Sequence, residues 1–313
     1  MKIVFLDRKT IGEDIDLTGF GRFGEVVIYD FSTPAEIPER VTDADIIIVN
    51  KMPVNEATIG KAGNLKLVCV TATGTNNLDK DYLAARGIAW RNVAGYSTES
   101  VAQHTFAMLF YLLEHLPYYD NYVKSEAYVG DKMFTHFEKH FRELSGMTWG
   151  IIGLGAIGRR VAELAACFGA RVIYYSTSGN NHNPEYEEVD FDTLLQSSDI
   201  ISIHAPLTEK TLHLIDSTAV DKMKPTAILI NVGRGPILVE EAIRDAILRE
   251  KIAAVGLDVL DTEPMTEDNP LREIKDSGRL LITPHIAWAA TEARTRLMKI
   301  IEGQIVEFLK ETE

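Results

Sequence analysis

The feature that most constrains this chain is a glycine-rich segment near its middle. Residues 148–158 spell TWGIIGLGAIG, so a short apolar run leads into the pattern G-x-G-x-x-G, and residues 159–168 continue with helical periodicity. In such a turn the first glycine permits a tight bend, the second lets the backbone approach a pyrophosphate, and the third lets helix and strand pack closely. The amides at the helix start favour an anion. The pattern therefore predicts a dinucleotide-binding turn. Its expected binding residues are Gly153, Gly155, Ala156, Ile157 and Gly158.

The composition is typical of a globular protein with about two domains. The 313 residues have a hydrophobic fraction of 46% and a formal net charge of −14, and this length exceeds what one core usually serves. The acidic balance argues against a nucleic-acid partner, because phosphate binding needs clustered lysine and arginine. The N-terminal apolar run is too short for a signal peptide, and no apolar run could span a bilayer. We expect a cytoplasmic protein with no nucleic-acid and no membrane partner.

Cysteine and histidine usage indicates neither a disulfide nor a metal site. Cys69 and Cys167 are the only cysteines, and both stand among apolar residues. We expect two buried free thiols in a reducing compartment. The histidines lack metal-ligand spacing, so we expect no bound metal.

Apolar runs alternate with helical stretches in two series along the chain. The first series of expected strands covers residues 2–6, 26–29, 45–49, 67–70 and a short strand near Ile88. The second starts at Met147 and continues at residues 171–175, 200–204, 227–231, 253–258 and 280–283. Expected helices cover residues 34–41, 55–62, 79–86, 101–113, 157–168, 191–196, 239–249 and 291–309. Apolar strands separated by helices predict parallel sheets covered on both faces. We therefore expect an α/β fold with two doubly wound parallel-sheet domains.

The position of the glycine turn suggests an unusual domain order. A complete α/β series precedes the turn, and the last helix follows the final strand, so this helix could return to the first series. We expect a Rossmann dinucleotide-binding domain over residues 99–285 and a discontinuous, flavodoxin-like substrate domain made of residues 1–98 and 286–313. Ligands bind at the carboxyl ends of parallel strands, so we expect a cleft at the crossovers near Ser97 and Pro284.

Three polar residues follow successive strands of the second series, and together they fit one reaction. Arg234 could hold a substrate carboxylate with a bidentate fork and polarise a neighbouring carbonyl. His285 could exchange a proton with the substrate oxygen near neutral pH. Glu263 could fix the tautomer of this imidazole through its other nitrogen. We therefore expect these three side chains to form a catalytic group that interconverts an alcohol and a ketone beside a carboxylate.

Over essentially its whole length, the chain resembles the D-isomer-specific 2-hydroxyacid dehydrogenases. The motifs that carry this resemblance, besides the Gly153 turn, are HAPLT at 204–208, NVGRG at 231–235, GLDV at 256–259 and PHIAW at 284–288. Residues 72–77, residues 101–105 and the pairing of His285 with Trp288 are most similar to the glycerate dehydrogenase (hydroxypyruvate reductase) branch. The resemblance implies hydride transfer between a nicotinamide cofactor and a small D-2-hydroxy acid or 2-keto acid, most nearly glycerate/hydroxypyruvate or glyoxylate.

The resemblance also assigns roles to particular residues. It implies that Arg234 binds substrate, that Glu263 supports His285 and that His285 is the acid/base. It implies that the backbone N–H groups of Thr73 and Gly74 hold the substrate carboxylate. Further cofactor-binding residues are expected to be Ser176, Thr177, His204, Ala205, Pro206, Val232, Gly233 and Asp258, the last at the nicotinamide carboxamide. From their positions alone, we also expect Lys51, which follows a strand, and Trp288 at the substrate, although Trp288 could equally serve hinge packing.

The choice between NAD and NADP stays open. NAD-specific members carry an Asp or Glu at the end of the second strand, where it binds the adenosine ribose. Here the strand leads to Ser176, Thr177 and Ser178. Without a carboxylate a 2′-phosphate would not be repelled, yet no arginine follows to clamp one.

The choice among related activities also stays open. Phosphoglycerate and phosphite dehydrogenases of the same fold are alternatives, as is a corepressor-like protein that binds NAD(H) without turnover. The tyrosines of the segment between the two series are typical of an interface arm, so we expect a homodimer. These residues are Tyr118, Tyr119, Tyr122 and Tyr128.

Overall fold

The computed structural model describes residues 1–312. Its strands, in chain order, are β1 (Lys2–Phe5), β2 (Glu25–Ile28), β3 (Ile46–Val49), β4 (Leu67–Val70), β5 (Ala89–Arg91), β6 (Thr148–Ile152), β7 (Arg171–Tyr175), β8 (Glu187–Glu188), β9 (Ile200–Ile203), β10 (Ile228–Asn231), β11 (Ala254–Leu257) and β12 (Leu280–Ile282). The helices are α1 (Ile37–Arg40), α2 (Glu56–Ile59), α3 (Lys80–Ala85), α4 (Thr98–Leu113), α5 (Leu116–Lys124), α6 (Ala156–Cys167), α7 (Phe191–Ser197), α8 (Ser217–Lys222), α9 (Glu240–Leu248) and α10 (Thr291–Thr312). These elements form two compact units, of which the first comprises Met1–Ser97 and the segment from Trp288 onward, and the second comprises Thr98–Ala287.

Local sequence explains where several helices begin. The side chains of Asn55, Asp79, Asp190 and Asp216 each accept a hydrogen bond from a backbone N–H three residues further on, at the N-termini of α2, α3, α7 and α8. Such caps satisfy donors that the first turn leaves without an intrahelical partner. At α2 the cap is reciprocal, because Thr58 also accepts from the backbone N–H of Asn55.

The first unit is built on a five-stranded parallel sheet with the order β2-β1-β3-β4-β5, which is the flavodoxin-like order. Every residue of β3 and β4 is buried, as expected for central strands covered on both faces. One stripe of α10, formed by Ala293, Leu297, Ile301 and Ile305, is completely buried in the core that also contains Ile3. The C-terminal helix therefore completes the core of the unit that begins the chain.

The second unit is built on a seven-stranded parallel sheet with the order β12-β11-β10-β9-β6-β7-β8. Numbered from β6, this is the Rossmann order 3-2-1-4-5-6 with one added strand. The chain leaves β6 for β7 on one side and later returns to β9 on the other, so the end of β6 is the topological switch point of the sheet. The predicted fold class, two doubly wound parallel-sheet domains, is confirmed. The assignment of a substrate role to the discontinuous first unit stays a prediction.

Several local expectations were wrong. The short elements α5, α8 and β8 were not expected; α5 contains no buried residue, so it adds nothing to the core. The helix expected at residues 34–41 is confined to Ile37–Arg40. Cys69 is a buried thiol as expected, and burial raises its pKa to about 12. Cys167, however, is exposed, because it lies outside the buried stripe of α6 formed by Gly158, Val161, Ala162 and Ala165.

Within residues 1–312, no helix combines the length and apolar character needed to cross a bilayer. The same residues contain no group of three or more His, Cys, Asp or Glu side chains arranged to hold a metal ion.

Candidate active site

The strand register of the second unit aligns the predicted site residues along one edge. Ile152 pairs with Tyr175 and with Ile203, and Ile203 in turn pairs with Asn231. Asn231 then pairs with Leu257, and Leu257 with Ile282. The residues that directly follow these strand ends therefore form one row at the carboxyl edge of the sheet. In spatial order this row is Ser176, Gly153, His204, Val232, Asp258 and Thr283.

The glycine turn lies at the switch point and has the geometry that a pyrophosphate needs. Gly153 has φ of +91°, and a Cβ there would lie 2.8 Å from Cα of Ala205. A Cβ at Gly158 would lie 2.3 Å from the carbonyl oxygen of Gly153, so helix and strand could not pack as they do. A Cβ at Gly155, in contrast, would meet no atom within 4 Å. The second glycine therefore faces open space, where a ligand could approach the backbone.

The start of α6 suits a phosphate group electrostatically. No side chain caps its N-terminus at Gly155, and its first turn contains no acidic residue. The amide dipoles there favour an anion, and no negative side chain opposes one. The turn thus fits the dinucleotide that the sequence predicted, with Gly155, Ala156 and Ile157 as the residues that would hold its pyrophosphate.

The end of β7 carries hydroxyl and amide groups where NAD-specific proteins carry a carboxylate. Ser176 is buried, and its Oγ accepts a hydrogen bond from the backbone N–H of Asn181. The Asn181 side-chain amide donates to the carbonyl oxygen of Leu154, within the glycine turn. Thr177 is partly exposed. The loop after β7 is therefore fastened to the glycine turn, and the cofactor roles of Ser176 and Thr177 stay predictions.

Two hydrogen bonds in sequence hold the ring of His204 at the carboxyl edge of the sheet. Its Nε2 lies 2.9 Å from Oγ of Ser202, which accepts a hydrogen bond from Nε1 of Trp149 at 2.8 Å. Within the described residues, the buried Nδ1 of His204 has no hydrogen-bond partner. Burial lowers the pKa of His204 to about 3, so the ring is neutral near pH 7. This agrees with a structural or cofactor-loop role for His204 rather than with acid/base catalysis.

The loop after β10 presents Arg234 on a backbone fixed by a buried amide. Asn231 is completely buried, accepts from the N–H of Gly233 and donates to the carbonyl oxygen of Arg234. The Arg234 guanidinium is partly exposed and donates to the carbonyl oxygen of Gly233 at 2.7 Å. It forms no ion pair with a carboxylate of residues 1–312. An unpaired guanidinium on a rigid loop is suited to binding a carboxylate. Sequence reasoning did not assign a role to Asn231, although an amide at the end of an apolar strand was a visible signal.

Glu263 and His285, although 22 residues apart, form a direct pair. Nδ1 of His285 lies 2.7 Å from Oε2 of Glu263, and Oε1 of Glu263 accepts from the backbone N–H of Leu260 at 3.0 Å. An ionised carboxylate can only accept, so Nδ1 carries the proton and Nε2 is left to act on a substrate. Both side chains are about one-third exposed, at 28% for His285 and 33% for Glu263. The pair therefore meets the geometric requirement for a general acid/base.

A close backbone contact joins the Arg234 loop to the Glu263 loop. A Cβ at Gly235 would lie 1.9 Å from the carbonyl carbon of Leu260, so only glycine permits this approach. Nearby, the buried Glu240 accepts from the N–H of Asp261 at 2.9 Å and from the amide of Asn269 at 2.7 Å. Burial raises the pKa of Glu240. Sequence reasoning missed Glu240, because a glutamate near a helix start is usually a solvent-exposed residue.

Asp258 is almost fully buried and binds the loop that carries His285. Its two carboxylate oxygens accept from the backbone N–H groups of Ile286 and Ala287 at 2.8 and 2.9 Å. Its carbonyl oxygen accepts from the N–H of His285. Val232 is buried and Gly233 is partly exposed on the neighbouring loop. The predicted contact between Asp258 and a nicotinamide carboxamide stays a prediction, since the carboxylate is occupied by its own loop.

In the first unit, the predicted substrate residues follow the ends of β3 and β4. Lys51 is exposed, and its backbone N–H donates to the carboxylate of Asp7 at 2.8 Å. Asp7 is buried, and burial raises its pKa. Thr73 is exposed, and its hydroxyl donates to the carbonyl oxygen of Val93. Trp288 packs edge-on against Tyr96 with ring centroids 6.3 Å apart. The substrate roles of Lys51, Thr73, Gly74 and Trp288 stay predictions.

Comparison with known proteins agrees with these features. A family model described as "D-isomer specific 2-hydroxyacid dehydrogenase, NAD binding domain" matches residues 106–287. A hydroxypyruvate reductase of Blautia hydrogenotrophica is 36% identical over 318 residues, which cover 99% of this chain and 97% of the relative. The resemblance that the motifs indicated is therefore confirmed.

Solved structures share the fold over nearly the full length. A D-lactate dehydrogenase from Aquifex aeolicus, complexed with NAD and lactic acid, aligns with a TM-score of 0.85 and 28% identity, covering 99% of this chain and 96% of that one. An acyclic imino acid reductase in complex with NADPH and D-arginine aligns with a TM-score of 0.87 and 28% identity, covering 99% and 98%. Since the family model covers more than half of the chain and the relative nearly all of it, this protein belongs to the D-isomer specific 2-hydroxyacid dehydrogenase family and is an NAD(P)-dependent enzyme.

Proposed function

We propose that this enzyme interconverts D-glycerate and hydroxypyruvate, and that it also reduces glyoxylate. The observation that carries the proposal is the pair of Glu263 with Nδ1 of His285 at 2.7 Å, on the same sheet edge as an unpaired Arg234. The 36% identity to a hydroxypyruvate reductase supports the choice of substrate. The motifs at residues 72–77 and 101–105 support the same branch of the family.

In this proposal His285 is the general acid for reduction and the general base for oxidation. When bound, the nicotinamide cofactor supplies the hydride for reduction or accepts it in oxidation. The imidazolium of His285 gives the proton on Nε2 to the carbonyl oxygen of the keto acid, and the ring becomes neutral. Glu263 keeps the other proton on Nδ1 throughout and stabilises the imidazolium. The carbonyl of the keto acid becomes the hydroxyl group of a 2-hydroxy acid, and the reverse reaction returns the proton to His285.

Arg234 is proposed to bind the substrate carboxylate and to polarise the adjacent carbonyl. Its loop is fixed by Asn231, so little conformational entropy is lost when the carboxylate binds. By resemblance to the family, the backbone N–H groups of Thr73 and Gly74 also bind this carboxylate. We propose substrate contacts for Lys51 and Trp288 as well. A small substrate is consistent with recognition through one carboxylate and one carbonyl.

We propose that both NAD and NADP are accepted. The end of β7 lacks the carboxylate that would repel a 2′-phosphate. The residues proposed to hold the nucleotide are the glycine turn, Ser176, Thr177, residues 204–206, Val232, Gly233 and Asp258. The relatives with solved structures include one in complex with NAD and one in complex with NADPH.

A substrate panel tests the function directly. The purified protein is assayed with hydroxypyruvate, glyoxylate, pyruvate, 3-phosphohydroxypyruvate and phosphite, each with both nicotinamide cofactors, and kcat/KM is compared. The proposal expects the highest kcat/KM for hydroxypyruvate, followed by glyoxylate. A preference for 3-phosphohydroxypyruvate or phosphite would contradict the substrate assignment. Cofactor binding without turnover on any of the five would instead indicate a binding protein.

We propose a homodimer formed through the segment that follows α4, here called the aromatic arm and defined as residues 116–141. Large apolar side chains of the arm are exposed, and Phe134 reaches 91% exposure. Tyr122 stacks on His136 with ring centroids 3.9 Å apart, which orders the arm. An exposed apolar surface of this kind usually marks an interface. Light scattering on the wild type and on Phe134→Asp tests the proposal, and a monomeric wild type would contradict it.

We propose that the enzyme acts in the cytoplasm. Cys69 and Cys167 are both free thiols, which is the usual state of cysteine in a reducing compartment. A fluorescent fusion followed by cell fractionation tests this location, and recovery outside the cytoplasmic fraction would contradict it.

A further inference from the structure

The loop that carries His285 is held in an unfavourable backbone conformation. His285 has φ of +54°, in the left-handed region that non-glycine residues rarely adopt. Its backbone N–H is held by the carbonyl oxygens of Asp258 and Thr283. The next two backbone N–H groups, of Ile286 and Ala287, are held by the Asp258 carboxylate. The surrounding contacts must therefore maintain the position of the imidazole, because the local backbone preference does not.

Helix α4 supplies two of these contacts from one face. Ser100 and His104 are four residues apart, so their side chains lie on the same side of the helix. Oγ of Ser100 donates to the carbonyl oxygen of Ala287 at 2.6 Å. Nε2 of His104 lies 3.1 Å from Oγ1 of Thr283. The helix thus contacts the loop on both sides of His285.

Hydrogen-bond chemistry fixes which group donates at each step from His104 through Thr283 to Asp258; these three residues are here called the hydrogen-bond chain. Oγ1 of Thr283 donates its only proton to Oδ1 of Asp258 at 2.6 Å, since an ionised carboxylate can only accept. Towards His104 the same hydroxyl oxygen can therefore only accept, so Nε2 of His104 must carry a proton. The same Nε2 lies 3.5 Å from Oδ1 of Asp258. The hydrogen bonds are therefore donated from His104 to Thr283 and from Thr283 to Asp258. The Asp258 carboxylate also accepts from the loop amides, from Ile286 at Oδ1 and from Ala287 at Oδ2.

We propose that His104 and Thr283 are positioning residues for the acid/base His285, acting through the Asp258 carboxylate. Neither residue is expected to touch the substrate. Their function is to keep the orientation of Asp258, so that it holds the amides of Ile286 and Ala287 and thereby the unfavourable backbone at His285. This inference rests on the proposed role of His285 as the general acid.

Conservative and disruptive variants of His104 and Thr283 test the hydrogen-bond chain. Thr283→Val keeps the shape but removes the hydroxyl, whereas Thr283→Ser keeps the hydroxyl. His104→Leu removes the donor, whereas His104→Gln places an amide N–H near the position of Nε2. We expect kcat for keto-acid reduction to fall between about 10-fold and about 100-fold in the two disruptive variants, with little change in KM, because a small misplacement of a catalytic group has such effects. The two conservative variants should recover most of the rate.

A double variant separates a connected chain from two independent effects. If His104 acts through Thr283, the variant carrying both His104→Leu and Thr283→Val should be no slower than Thr283→Val alone. If the fold losses in kcat of the two single variants multiply in the double variant, the proposal of a connected hydrogen-bond chain is overturned. A loss in Thr283→Ser as large as in Thr283→Val would also overturn it, as would wild-type kcat in His104→Leu. Gln103→Leu is the control, because Gln103 is exposed on the same helix and should leave kcat unchanged.

Hydrogen exchange gives a readout that needs no substrate. In Thr283→Val, exchange of the amides of Ile286 and Ala287 should become about 5- to 10-fold faster, as expected when a supporting hydrogen bond is lost. Thr283→Ser and Gln103→Leu should exchange like the wild type. Unchanged exchange in Thr283→Val would overturn the proposal. A wild type that is inactive on every keto acid would instead contradict the proposed function, and the exchange result would remain a separate outcome.

Discussion

Nδ1 of His285 lies 2.7 Å from Oε2 of Glu263, and the second oxygen of this carboxylate is held by the backbone N–H of Leu260. The glutamate therefore has a fixed position, and it fixes the imidazole in turn. Because the proton on Nδ1 is committed to Glu263, proton exchange with a substrate can only involve Nε2. The two residues form one functional unit, and each contributes a different, measurable property to it.

Replacement of His285 by glutamine should remove the proton transfer but leave cofactor binding intact. We expect His285→Gln to lower kcat for keto-acid reduction by about 10²- to 10⁴-fold, the usual contribution of general acid/base catalysis. The Kd for the reduced cofactor, measured by fluorescence titration, should stay close to the wild-type value. His213→Gln is a matched control, since His213 is exposed in the same unit. Wild-type kcat in His285→Gln would exclude His285 from the acid/base role.

Replacement of Glu263 by glutamine should lower the rate, because the imidazole of His285 loses its fixed orientation. The carboxylate accepts from Nδ1 of His285 with one oxygen and from the backbone N–H of Leu260 with the other. Glutamine has an oxygen at one of these positions and an amino group at the other, so it cannot accept at both. We expect Glu263→Gln to lower kcat in both directions by about 10- to 100-fold, the cost of a misplaced catalytic group. Both directions are measured by cofactor absorbance. Wild-type kcat in Glu263→Gln would contradict the role of Glu263.

The contact between Gly235 and Leu260 predicts that even one added methyl group disturbs the site. Since the Cβ would lie 1.9 Å from a backbone carbon, the Arg234 and Glu263 loops must separate in Gly235→Ala. We expect the free energy of unfolding to fall by about 1–3 kcal/mol, as for other overpacked sites, and kcat to fall with it. In Gly278→Ala the new methyl group meets no atom within 4 Å. Equal stability of the two variants in urea titrations would contradict this prediction.

Much of the site was predictable because it depends on strand ends, and strand ends are visible in the sequence. Arg234, Glu263 and His285 each follow an apolar run, and the parallel register brings these runs to one edge. Glu263 and His285 were expected to pair, and they do. The fold class was predictable for the same reason, because the apolar runs and the glycine turn carry the periodicity of an α/β fold.

The remaining features depend on tertiary contacts that no local pattern encodes. In the sequence Thr283 is only a residue at a strand end. Its role depends on the pairing of β11 with β12, which places the Asp258 carboxylate beside it. His104 lies in a helix whose apolar residues dominate its pattern, and only the packing of this helix shows that it reaches Thr283. Asn231 and Glu240 are buried polar residues. Asn231 bonds to the backbone of the irregular loop that follows it, and Glu240 bonds to the backbone of Asp261 and the side chain of Asn269, both distant in the chain. Cys167 was expected inside because its neighbours are apolar, but the helical register turns it outward.

Substitutions of Arg234 should weaken substrate binding more than cofactor binding. We expect Arg234→Gln to raise KM for the keto acid by about 10- to 100-fold, since hydrogen bonds to charged groups contribute about 1.5–3 kcal/mol. Arg234→Lys keeps the charge but loses the bidentate geometry, so it should recover only part of the affinity. Arg249→Gln is the control, because Arg249 is exposed at the end of α9. If Arg234→Lys had wild-type KM, charge alone would explain substrate binding.

The half-buried His204, whose ring nitrogen Nδ1 is buried, predicts that acid specifically destabilises the fold. Burial lowers the pKa of His204 to about 3, whereas an unfolded histidine titrates near pH 6.5. Between these two values the unfolded chain binds a proton that the folded chain does not, so the free energy of unfolding must fall as the pH falls. Lowering the pH from 7.5 to 5.0 should cost on the order of 2 kcal/mol from this residue, since one pKa unit is worth about 1.36 kcal/mol.

Replacing the histidine isolates this contribution, because asparagine does not titrate. Urea unfolding at pH 7.5 and 5.0 should show a smaller loss of stability in His204→Asn than in the wild type, even if the variant is less stable at both pH values. His213→Asn serves as the control, because His213 is exposed and has a positive φ that asparagine tolerates. The control should lose as much stability on acidification as the wild type. An equal loss in His204→Asn and the wild type would mean that His204 binds protons alike in the folded and the unfolded chain, and it would contradict the effect of burial on its pKa.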